Sequence, residues 1–129
     1  MAIISPLKKI FNWQLASEKI PYRSYVALLN QSGTDAPVAT VLENTTGMTF
    51  NWSYTSAGTY NVKTNVPNSI PAATYVKIEN KSGYNTWFTA QPLENPQYDE
   101  IEVVVTVAPG PVFTDSLLYN TPFEIRIYN

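Results

Sequence analysis

The chain has 129 residues, a formal net charge of −2, 44% hydrophobic residues and only 14% charged ones. That length suits one domain with a real core, and that hydrophobic content rules out a disordered chain. There is no Cys and no His. Their absence excludes disulfides, thiolate catalysis, Cys-ligated metals and the commonest general base, while so weak a field argues against nucleic acid.

The first twenty residues differ from the rest. Ile3, Ile4, Leu7, Ile10, Phe11 and Leu15 mark either one stripe of a short helix interrupted by Pro6, or an arm that leaves the domain and docks elsewhere. Lys8 and Lys9 follow the apolar residues instead of preceding them, so no signal peptide is expected. No window approaches the roughly 18 apolar residues that span a bilayer, so no membrane partner is expected. The sequons at Asn44, Asn51 and Asn80 are read as chance in a chain rich in Asn, Thr and Ser. The organisation expected is an arm or docking segment over 1–20 and a single β domain over 21–129.

From Ser24 onward, eight of the chain's ten Pro and all five Gly cut it into short pieces rich in aromatic and β-branched residues, which suit a pleated surface. The pieces are Ser24–Gln31, Pro37–Glu43, Met48–Tyr54, Thr59–Thr64, Thr74–Asn80, Thr86–Ala90, Glu100–Val107 and Pro122–Tyr128. Ile101, Val103, Val105 and Val107 alternate with Glu102, Val104 and Thr106. Phe123, Ile125 and Ile127 alternate with Glu124 and Arg126. Alternation with one wet face predicts antiparallel strands. Thr55–Gly58 and Asn80–Gly83 are each spaced for a hairpin. The Pro-bearing stretches Asn65–Pro71, Gln91–Gln97 and Ala108–Pro111 are expected to cross between sheets or round an edge. The fold class expected is all-β: an antiparallel sandwich or jelly roll of about eight short strands, with an N-terminal arm or short helix.

Chemistry is scarce. Asp99, Glu100 and Glu102 are the one acidic group fit for glycoside hydrolysis, but on a strand beside polar loops they read better as a solvated face that keeps an edge from aggregating. Oxygen donors alone would imply Ca²⁺ or Mg²⁺, yet Asp35, Asp99 and Asp115 are too far apart in sequence for a calcium loop. No nucleophile elbow and no Gly-rich phosphate loop is present. No catalytic residue, cofactor or metal ligand is expected. Trp52 lies in an alternating strand and is expected in the core. Tyr84, Trp87 and Trp13 are the aromatics expected to make exposed contacts.

Pro21–Gly33, Ala36–Thr45 and Thr49–Tyr60, with the ending Pro122–Asn129, resemble small β proteins of tailed phages and prophages of Bacteroidota. The likeness covers the first half well and the rest in style, and its motifs are structural. The resemblance implies a virion component, such as a head fibre, auxiliary capsid protein or other decoration of a crAss-like phage. Its partners would be copies of itself, as a dimer or trimer, and other virion proteins. Ile4, Leu7, Ile10, Phe11 and Trp13 are then the docking candidates on the arm. The alternative is a carbohydrate-binding module that recognises a bacterial surface glycan through exposed aromatics such as Tyr84 and Trp87.

Overall fold

The computed structural model describes residues 21–80, 85–94, 97–108, 110 and 112–128. The arm, with Ile4, Leu7, Ile10, Phe11 and Trp13, and the aromatic Tyr84 lie outside the described residues. Among the described residues there is no helix. The strands are β1 (Tyr22–Asn30), β2 (Val38–Asn44), β3 (Phe50–Ser56), β4 (Thr59–Thr64), β5 (Tyr75–Ile78), β6 (Thr86–Pro92), β7 (Glu100–Val107), β8 (Val112–Phe113) and β9 (Thr121–Tyr128).

They form two antiparallel sheets. Sheet A runs β2-β1-β9-β5, and sheet B runs β3-β4-β7-β6 with β8 also paired to β7. The one-sided alternation explains why they stack. Tyr25, Ala27 and Leu29 of β1 and Phe123, Ile125 and Ile127 of β9 face inward from sheet A. Tyr60 and Val62 of β4 and Ile101, Val103 and Val105 of β7 face them from sheet B, all buried. Each large aliphatic among them contributes about 1.5–3 kcal/mol by leaving water. The architecture is the sandwich, and the alternations in β7 and β9 point where their sequence says, with Val107 only partly covered.

Three local expectations change. β5 and β6 do not pair as a hairpin, because β5 pairs with β9 in sheet A while β6 pairs with β7 in sheet B. Gln91 and Pro92 continue β6, with Pro92 opposite Ile101. Proline is tolerated there because β6 is an edge strand, with one side free of ladder bonds. Of the three Pro-bearing stretches, Asn65–Pro71 joins sheet B to sheet A, whereas the strands on either side of the other two are neighbours within sheet B.

The Thr55–Gly58 hairpin is present, joining β3 to β4. Gly58 has φ +66°, and a Cβ there would lie 2.5 Å from both the Thr114 amide nitrogen and the Val105 carbonyl oxygen. Both atoms are backbone, so neither can swing aside. Gly58→Ala is expected to cost more than about 2 kcal/mol, read as a lowered midpoint in chemical denaturation. A midpoint unchanged from the parent would show that this hairpin tip is not locked.

Candidate functional site

Three places in the described body concentrate polar chemistry or uncovered apolar surface. The first is a polar knot at one end of the sandwich. The Gly58 amide donates to Asp115 Oδ1 at 2.7 Å, the Tyr54 hydroxyl donates to Oδ2 at 2.8 Å and the Tyr60 hydroxyl lies 3.0 Å from Oδ1. Tyr60 also lies 2.8 Å from Gln31 Oε1, which accepts the Ser116 amide at 2.8 Å. Gln31 Nε2 then donates to the Gly33 and Asp35 carbonyls. The network holds Ser116 at φ +66°, a conformation that costs a non-glycine residue about 1–2 kcal/mol. Burial pushes the Asp115 carboxyl up, but the bonds from Gly58, Tyr54 and Tyr60 outweigh it and hold the group below the usual carboxylate range. Burial and then the Asp115 carboxylate push the Tyr60 phenol far above the usual tyrosine range. Every member has a structural partner, so the knot ties β3, β4 and the loop after β1 to the segment after β8.

The second place is an open flank. On one side of the sandwich β5 and β6, the edges of the two sheets, lie against each other. On the other side β2 and β3 are both edges and are less closely joined than β5 and β6. Between them lies a groove of about 510 Å³. Its floor is aromatic. Tyr25 and Phe50 stack with centroids 4.1 Å apart, Trp52 meets Phe123 edge-on at 5.0 Å, and Trp52 Nε1 donates to the Tyr25 hydroxyl at 3.4 Å. Its walls are Val38, Ala39, Val41 and Met48. Trp52 packs against the core as expected, but its other side faces this groove.

Strand β2 is exposed along nearly its whole length: Val38 by 67%, Val41 by 51% and Leu42 by 60%. Val41 stands opposite the buried Ala27, so it points inward, yet no strand among the described residues covers it. Leu42 is the extra residue of a bulge between Val41 and Glu43. Edge strands usually carry Lys, Pro or an inward charge against stray pairing. The one charged residue of β2 is Glu43, and it is engaged by the Ser24 hydroxyl of β1.

The third place is the outer face of sheet B. Trp87 and Phe113 both stand opposite Thr106, one from each neighbouring strand. They therefore share a face about 10 Å apart, exposed by 54% and 53%. Trp87 is exposed here; Phe113 was not among the candidates, because β8 is too short to show a period. Gln91, Glu102 and Asn61 stand in register along the same face.

Of the acidic candidates, Glu100 and Glu102 share the outer face of β7 and Asp99 lies apart from them. Asp99 is buried and 3.8 Å from Lys63 Nζ. Glu100 accepts from Asn61 at 3.5 Å, and Glu102 stands with it on the outer face of β7. Among the described residues no cluster of three acids could hold a metal ion. Comparisons with protein-family models, with curated proteins and with solved structures find no match to this chain.

The signs of the knot's shifts fix its pH behaviour. Asp115 has a depressed folded pKa, so its stabilisation is complete above the ordinary carboxylate value of about 4 and is lost as pH falls through the lower folded value. Tyr60 has a raised folded pKa, so its stabilisation is complete below about pH 10 and is lost as pH rises beyond that. Thermal midpoints are expected to fall at both extremes. Asp115→Asn is expected to flatten the acid fall and Tyr60→Phe the alkaline one. Full acid and alkaline limbs in these variants would show that the knot does not set the pH range.

Proposed function

We propose that this protein is a non-enzymatic structural component of a phage virion, of the head fibre, auxiliary capsid or decoration type, which assembles through symmetric contacts between copies. The observation that carries the reading is the open flank. A seven-residue edge strand with Val38, Val41 and Leu42 in water is an aggregation hazard in a free monomer and an asset in a molecule made to meet its own copies. The surface around it is consistent with that use, since Thr, Asn and Ser let copies approach without charge repulsion. The phage assignment rests on the sequence resemblance. Light scattering on the purified chain is expected to give the mass of a defined oligomer; a monodisperse monomer at high concentration would contradict assembly. Quantitative mass spectrometry of purified particles is expected to find the protein in several copies per virion, and its absence would refute the virion assignment.

A second reading is favoured by the third place. Trp87 and Phe113 flank Thr106 beside a row of Gln91, Glu102 and Asn61, a combination of stacking faces and amide groups suited to a bacterial surface glycan. If that face binds sugar, Trp87→Ala and Phe113→Ala each remove binding on a glycan array and leave the thermal midpoint nearly unchanged. An array with no signal for the parent chain would end this reading.

A further inference from the structure

We propose that the open flank is the receptor for the N-terminal segment of a second copy of this chain, with residues 11–15 entering as an added strand between β2 and β3. The proposal rests on the assembly reading above and names its contact.

The groove defines what can enter. None of its lining residues is charged, so a charged peptide would lose solvation there without gaining a partner. Both edges that border it, β2 and β3, offer backbone groups with no neighbouring strand among the described residues. A segment that completes such edges must be extended, with one apolar face. Phe11-Asn12-Trp13-Gln14-Leu15 has that pattern: Phe11, Trp13 and Leu15 on one face, Asn12 and Gln14 on the other, and no charge between Ile10 and Ser17. The three large side chains match the aromatic floor of Tyr25, Phe50 and Trp52, and cover Val41. The two amides stay in water.

The way the chain enters the body selects a second copy over its own segment. β1 begins at the end of the sandwich where β2 stops, since Tyr25 is opposite Asn44. Pro21 disfavours helical backbone at the residue before it. Ala16-Ser17-Glu18-Lys19 has Ser17 as its one residue with a turn preference and no Gly, Pro, Asn or Asp. A straight entry would carry Leu15 up to roughly 17 Å beyond the sheet, within reach of a neighbour and past the groove beside its own β1.

The test uses the full chain. Val41→Lys places a charge in the groove at an exposed position, and Trp13→Asp places one on the inserted segment. Each is expected to raise the concentration of half-association at least tenfold, about 1.4 kcal/mol or more, with an unchanged circular dichroism spectrum. The chain has no Cys, so single cysteines report proximity. Trp13→Cys or Leu15→Cys, mixed with differently tagged Val41→Cys, is expected to give a mixed disulfide between copies. An oligomer that persists undiminished in both charge variants would overturn this proposal and leave the assembly reading standing. A parent chain that stays monomeric would overturn the assembly reading itself. A disulfide formed within one chain of the Trp13→Cys/Val41→Cys double variant, and not between copies, would overturn the choice of a second copy.

Discussion

The constraint on which the rest depends is that each sheet has one apolar face, which must be covered, and that the two sheets cover one another unequally. β4, β7, β1 and β9 meet across the middle, and their facing side chains are buried. At one side the edges close on each other through β5 and β6. At the other the edges β2 and β3 leave a groove between them. Val41 is inward by register and wet by position. From that mismatch come the groove, its aromatic floor and the unprotected edge.

The polar knot does a different job. It fastens the end of the sandwich where the β3–β4 hairpin, the loop after β1 and the segment after β8 converge. Asp115 is placed to ionise because three donors converge on it, and Tyr60 is placed to remain neutral. A group with all its hydrogen bonds committed to neighbours makes a brace, not a reagent. Glu100 and Glu102, both half-buried, stand on the outer face of β7, away from this knot.

Much of the body was legible in the sequence wherever the information was local. Alternation located β7 and β9 and the side chains they bury, and Gly58 marked its hairpin. Partner choice was less legible. Whether β5 and β6 pair depends on β9 and β7, which lie far along the chain, so Asn80–Gly83 carried a misleading hairpin signal. Pro92 could be placed in a strand only once β6 was known to be an edge. β8 has two residues and no period. Asp115 joins Gln31, Tyr54, Gly58 and Tyr60 only in space, so no spacing announced the knot. The open flank was invisible for the same reason: alternation tells which way Val41 points but not whether anything faces it.

Amide hydrogen exchange, followed residue by residue at high and at low protein concentration, tests the central claim most directly. If the flank is a contact between copies, the amides of β2 and β3 that point away from β1 and β4 are slow to exchange in the concentrated sample and become fast on dilution, while the ladder amides of β1, β7 and β9 stay slow in both. Fast exchange of those edge-facing amides at every concentration would contradict the account.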